Sequence, residues 1–189
     1  MLTAASARRS DGLIIVVMGV SGCGKSLVGE AIAASLGMPF LEGDTLHPAA
    51  NVAKMAQGNA LTDDDRFPWL DSIGARIGGA GPAGLVVSCS SLKRIYRSRL
   101  RSFAAGQLLF VFLSGSEAVL AARMAARRGH FMPPALLKSQ LATLEDPSAE
   151  PDVVTVDVSP PRDAVIAEAL DAIAAHLGES AATGGPDCR

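Results

Sequence analysis

The chain has 189 residues, 49% of them hydrophobic and 19% charged, enough to bury a full core without help from metals or disulfides. Its 17 Lys and Arg against 19 Asp and Glu argue against a nucleic-acid binder, because neutralising phosphates along a groove takes a surplus of cations. Three widely spaced cysteines, Cys23, Cys89 and Cys188, suggest neither a disulfide framework nor a metal knuckle and point to a reducing compartment, and no apolar run reaches the roughly 18 residues that span a membrane.

In chain order, residues 1–12 are small and polar and read as a flexible arm. Arg8 and Arg9 before Leu13–Val20 imitate a secretory signal, a reading set aside because cleavage would remove the most informative segment of the chain. Leu13 to Met18 is an unalternating, β-branched apolar run, the pattern of a strand covered on both faces in a parallel sheet. A glycine-rich turn follows, and then Val28, Ile32 and Leu36 at helical spacing. Further strands are predicted at Pro39–Leu41, Leu85–Cys89, Leu108–Leu113 and Val153–Val158. Between and after them lie three apolar helical stripes: Phe67, Leu70, Ile73 and Ile77; Leu92, Tyr96, Leu100 and Phe103; and Ile166, Leu170, Ile173 and Leu177, the last opened by Pro161. Alternating strands and helices predict one α/β domain over 13–177, a central five-stranded parallel sheet with helices on both faces. The Gly-, Ser- and Ala-rich residues 178–189 read as a disordered tail.

Gly19-Val-Ser-Gly-Cys-Gly-Lys-Ser26 matches G-x-x-x-x-G-K-[ST] between a predicted strand and a predicted helix, the context in which that spacing makes a phosphate loop. Glycines at 19, 22 and 24 let the backbone curl so that N–H groups from Val20, Ser21, Cys23 and their neighbours converge on the phosphates of ATP. Lys25 supplies a cation for the β- and γ-oxygens, and Ser26 a hydroxyl for Mg²⁺. Cys23 occupies a wildcard position, and a thiol reagent attached there would obstruct the phosphates in an ATP-protectable way.

No Asn-Lys-x-Asp guanine-reading motif is present, and Leu85-Val-Val-Ser88 ends in Ser where a motor ATPase would carry Asp. The carboxylate candidate is Asp44 of Glu42-Gly-Asp44, at the carboxyl end of the second strand, where neighbouring strands share a crevice. Asp44 suits an acceptor base, a metal ligand or both. Arg123, Arg127 and Arg128 precede Gly129-His-Phe-Met-Pro-Pro134, a pattern that fits a mobile lid over about 123–135 carrying a transition-state arginine, and equally a helix C-terminus favoured by cations. Lys93, Arg94, Arg97, Arg99 and Arg101 crowd one helix, either as a solvated face or as charge for an anionic acceptor. Arg66 is a further cation near the crevice, Trp69 reads as packing, and His47, His130 and His176 lack metal-ligand spacing.

Taken together, residues 14–145 resemble the gluconokinases of the shikimate-kinase-like P-loop group. The resemblance rests on the phosphate loop, Glu42-Gly-Asp44, Leu46-His-Pro48, Asn51, Lys54-Met55, Gly58, Asp65-Arg66, Pro68-Trp-Leu70, Cys89-Ser-Ser-Leu-Lys-Arg94, Tyr96-Arg97, Gly129-His-Phe131, Ser139-Gln140 and Leu144-Glu145. It implies transfer of the γ-phosphate of ATP, with Mg²⁺, to the 6-hydroxyl of D-gluconate, by a cytoplasmic homodimer serving gluconate catabolism. It further implies that Gly19–Ser26 bind ATP, that Asp44 orients or deprotonates the acceptor, and that Arg127 is the lid arginine with Arg123 in support. His47, Lys54, Arg66 and Arg97 are then the candidates for holding gluconate. Ser91 departs from the alanine common in the family, and Arg128 from an alternative lysine. The competing readings are a shikimate or nucleoside monophosphate kinase, weakened by Ser88-Cys-Ser90 in place of a Gly-Gly-Gly turn, and a regulatory module that only binds ATP.

Overall fold

A computed structural model describes residues 12–126 and 134–183. Five parallel strands, β1 (Ile14–Met18), β2 (Phe40–Glu42), β3 (Leu85–Ser88), β4 (Leu108–Ser114) and β5 (Val153–Asp157), lie in the order β2-β3-β1-β4-β5. At the centre, Ile14 of β1 pairs with Leu85 on one side and Leu108 on the other. All five residues of β1 are buried, as an apolar run without alternation requires. Ile15 and Val17 face a core shared with α1 (Lys25–Leu36) and α7 (Arg162–Thr183), where Val28, Ile32, Val165 and Ile173 pack. Ile14, Val16 and Met18 face the opposite core, built from Trp69, Leu70, Ile73 and Ile77 of α3 (Asp63–Gly78) and Tyr96 and Leu100 of α4 (Arg94–Arg101). Each fully buried side chain of this kind contributes about 1.5–3 kcal/mol, so the central strand is held from both faces.

Chain order reverses across β3 and β1: the chain leaves β1 for β2 on one side and leaves β3 for β4 on the other. The loops after these two strands therefore diverge and open a crevice at their carboxyl ends. Helices α2 (Ala49–Ala56) and α6 (Pro134–Thr143) contribute residues to it, and α5 (Glu117–Ala126) lies against the turn at Gly22. Thr62 and Asp65 form a reciprocal capping box that starts α3, despite Pro68 inside that helix.

One boundary differs from the sequence reading. Helix α7 runs through Gly178 to Thr183, where a disordered tail was expected from 178 onward. A glycine costs a helix only about 1 kcal/mol. Ala181 and Ala182 restore the propensity beyond it. The predicted arm, the remainder of the tail and the lid residues 127–133 lie outside the described residues.

Candidate active site

The turn after β1 takes the shape its glycines allow. Gly19, Gly22 and Gly24 have φ of 137°, 85° and 99°, values that disfavour any side chain. A Cβ on Gly19 would also stand 2.7 Å from the Leu113 carbonyl oxygen. Gly24 caps α1 without a side-chain hydrogen bond, so the amides of the first turn stay directed at whatever anion enters. Lys25 folds back to donate to the Val20 carbonyl at 3.3 Å, and Ser26 follows it on the same turn. Cys23 contributes only backbone: its side chain is buried, and burial pushes its thiol above the usual range. The loop is tied on two sides, by Gly19 N–H to the Ser90 carbonyl at 3.3 Å and by Ser21 N–H to Gln140 Oε1 of α6 at 2.7 Å.

Across the crevice stands the acidic turn. Glu42 and Ser88 are register partners at the ends of β2 and β3. The Ser88 hydroxyl donates to Glu42 Oε1 and accepts the Gly43 N–H at 3.1 Å. Glu42 thus fills the space beside β3 where the sequence lacks a strand-terminal aspartate. Gly43 sits so close to β3 that a Cβ there would lie 2.1 Å from the Ser88 carbonyl oxygen, and its own carbonyl accepts the Trp69 Nε1–H at 2.8 Å. These contacts set the 3₁₀ turn Gly43–Leu46 that presents Asp44, a largely exposed side chain, on the same crevice as Lys25.

His47 continues this wall. Its ring stacks on buried Trp69, with centroids 4.1 Å apart and planes 13° from parallel. Trp69 is therefore packing, as its residue type suggested, and also a platform for the imidazole. The buried Asn51 amide donates to the Asp65 carbonyl at 2.7 Å, which orients its Nδ2 toward His47 Nδ1 at 3.4 Å. Nδ1 then accepts, and the proton sits on Nε2, which faces Asp44 Oδ1 at 4.0 Å. Burial lowers the His47 pKa, opposed by the Asp44 charge, so the ring is neutral near pH 7. Arg66 also reaches the crevice, donating to the Leu61 carbonyl at 2.8 Å and to Tyr96 Oη at 3.2 Å.

Two predicted substrate residues are positioned otherwise. Lys54 is committed to Asp65 at 2.5 Å, tying α2 to the start of α3. Arg97 is 1% exposed. It holds Glu150 at 2.5 Å and donates to the Ser91 and Leu92 carbonyls at 3.0 and 3.1 Å. Burial acts to raise the Glu150 carboxyl, and its bonds from Arg97 and Arg101 outweigh that and hold it below the usual range. Most of the other cations of this stretch are matched as well, Lys93 with Asp63, Arg99 with Asp71, and Arg101 with Glu150 and Asp152, while Arg94 has no carboxylate partner among the described residues. These pairs, made with acids that folding brings from distant segments, favour the structural over the anion-binding alternative for most of the cations of this stretch.

Arg123 donates to the Val158 and Pro160 carbonyls, and a Cβ on Gly24 would lie 4.0 Å from its Nη1, so it borders the nucleotide end of the loop. Arg127 lies outside the described residues. Sequence reasoning gave no role to Gln140, Ser139, Ser90 or Asn59, all of which line the crevice. Ser139-Gln140 carried a signal only through the family resemblance.

The donor set suits a hard cation brought by a nucleotide. Ser26 offers a hydroxyl and Asp44 a carboxylate, while the described residues contain no group of three or more His, Cys, Asp or Glu able to cage a metal alone. Such a set, one or two protein oxygens completed by phosphates and water, is the kind that suits Mg²⁺ in nucleotide sites generally.

A phosphate loop at the switch point of a parallel sheet, faced by an acidic turn, defines a P-loop kinase. Among known proteins, a family described as "AAA domain" matches residues 14–147. The gluconokinase of Gluconobacter oxydans is 47% identical over 160 residues, covering 82% of this chain and 88% of that protein. The thermosensitive gluconokinase of Escherichia coli is 46% identical over 148 residues, covering 76% and 78%. The crystal structure of a gluconokinase from Sinorhizobium meliloti superposes with a TM-score of 0.85 at 55% identity, covering 90% of this chain and 97% of that one. The chain belongs to the gluconokinase family.

Proposed function

We propose that this protein transfers the γ-phosphoryl group of ATP to the 6-hydroxyl of D-gluconate, giving 6-phospho-D-gluconate and ADP. The observation that carries the reading is that one crevice gathers Lys25 of the phosphate loop with Asp44, His47 and Arg66, in a chain of this family. Lys25 and the loop amides that are not already engaged, as Ser21 N–H is with Gln140, neutralise and orient the β- and γ-phosphates. Ser26 and Asp44 would hold Mg²⁺ brought with the nucleotide, and the cation would supply charge neutralisation at the phosphates. Asp44 orients the acceptor hydroxyl and takes its proton as the hydroxyl oxygen forms its bond to phosphorus.

His47 and Arg66 suit the hydroxyls and carboxylate of the sugar acid: one presents a neutral N–H, the other a guanidinium already braced by Leu61 and Tyr96. Arg127, supported by Arg123, supplies lid charge to the transferring group. A cytoplasmic homodimer is inferred from the family resemblance. It is compatible with described helices none of which is long and apolar enough to cross a membrane.

The test is ATP-dependent phosphate incorporation into gluconate beside shikimate, AMP and other sugar acids. Gluconate should be preferred by a wide margin in kcat/KM, and preference for shikimate or AMP would overturn the acceptor assignment. Asp44→Asn should lower kcat by several orders of magnitude while ATP still binds, whereas Lys25→Ala should impair both.

A further inference from the structure

The phosphate loop is fastened by a residue with no assigned part in the reaction. Ser21 N–H can only donate, so the 2.7 Å contact identifies the facing atom of Gln140 as its carbonyl oxygen and sets the orientation of the whole carboxamide. The other end of that planar group is an NH₂, with two donors. Gln140 belongs to the same crevice wall as Ser21, Lys25 and Asp44.

Its supporting helix is well anchored. Leu137 of α6 is buried in the core beside α1. Just past the helix, Glu145 N–H donates to the Leu92 carbonyl at 2.9 Å, and the Glu145 carboxylate accepts the Arg94 N–H at 2.6 Å. A group held this way meets its target without reorganising, which is the condition for strong stabilisation of developing charge.

We propose that Gln140 is a catalytic donor of the transfer: its Oε1 holds the Ser21 amide and its Nε2–H is given to an oxygen of the γ-phosphoryl group between Lys25 and Asp44. The inference rests on the kinase reading given above, and not on which acceptor is used. The phosphoryl group must pass between the loop lysine and the acceptor carboxylate, and Gln140 lines the same crevice as both. One side chain then couples loop shape to charge stabilisation: the bond that holds the loop also aims the donor.

Gln140→Glu separates the two duties. A carboxylate still accepts the Ser21 N–H, so the thermal midpoint should stay near wild type, but an anionic oxygen replaces the donor. Affinities for ATP and ADP, measured by calorimetry without acceptor, should show ATP weakened by about tenfold relative to ADP, and kcat should fall about 100-fold, as for loss of one preorganised donor. Gln140→Met, which removes both duties, should lose kcat similarly and lower the thermal midpoint as well. An unchanged ATP to ADP ratio in Gln140→Glu, or equal loss of both nucleotides with a lowered midpoint, would overturn the assignment and leave only a structural tie. Since the nucleotide ratio needs no acceptor, failure of gluconate as substrate would be recognised separately in the wild-type protein.

Discussion

Gly43→Ala probes the geometry that presents the acceptor carboxylate. Gly43 does not require positive φ, so the backbone itself tolerates alanine and the effect is purely steric. The new methyl would begin 2.1 Å from the Ser88 carbonyl oxygen and 3.2 Å from Ile73 Cδ1, where ordinary contact starts at 3.4 Å. Ile73 can rotate away, but the Ser88 carbonyl belongs to the backbone of a strand paired on both sides. The acidic turn must therefore lift by about 1 Å, stretching the Gly43 N–H bond to Ser88 Oγ and the Trp69 bond to the Gly43 carbonyl. Overpacking of this kind costs roughly 1–3 kcal/mol, and a displacement near 1 Å at a reacting group costs on the order of 100-fold in rate.

Steady-state kinetics and thermal melting would be read together. The control is Gly37→Ala at the C-cap of α1, where φ is 66° and the added Cβ meets nothing within 4 Å. That change should cost about 1–2 kcal/mol of stability through strain while leaving kcat intact. Wild-type kcat in Gly43→Ala, with only the stability loss of the control, would refute the claim that Ser88 positions the Asp44 turn.

Other outcomes follow from the same contacts. Arg97→Met leaves Glu150 with one cation and strips two carbonyls of a donor, so stability should fall by about 3–5 kcal/mol and the melting midpoint by roughly 10 °C. Arg99→Ala, at a half-exposed pair with Asp71, should cost under about 1 kcal/mol; equal losses would contradict the buried-network reading. Bonds from Lys54 and Thr62 hold the Asp65 carboxyl at about 2, below its ordinary value of 3.8. A depressed carboxyl stabilises the fold above its unfolded pKa and loses that effect as pH falls through the folded one. Denaturation curves of wild type and Asp65→Asn should thus differ by a constant amount above about pH 5 and converge toward pH 2; a difference that grows on acidification would reverse the sign. Burial raises the Cys23 thiol and pushes Cys89 up to about 12, so a thiol reagent at pH 8 should label neither until the protein unfolds. Rapid ATP-protectable labelling of native Cys23 would restore the expectation drawn from its place in the loop.

Much of this protein is decided locally and is legible from residue order. A strand buried on both faces must be apolar at successive positions, as Ile14–Met18 is, and a phosphate loop must carry glycine where φ is positive. The acidic turn was legible for the same reason, since Glu42-Gly-Asp44 ends a strand. Tertiary structure alone settled which charges remain available. Arg97, Lys54 and most of the α4 cations resemble anion binders in one dimension, and their partners Glu150, Asp65, Asp71 and Asp152 become neighbours only through folding. Gln140 shows the converse, a neutral side chain far along the chain from Ser21 that the packing of α6 delivers to the loop. Conformational demands act within a few residues and leave a mark on composition and spacing. Charge pairing and hydrogen bonding act at a few ångströms in space, between positions whose order in the chain carries no trace of their meeting.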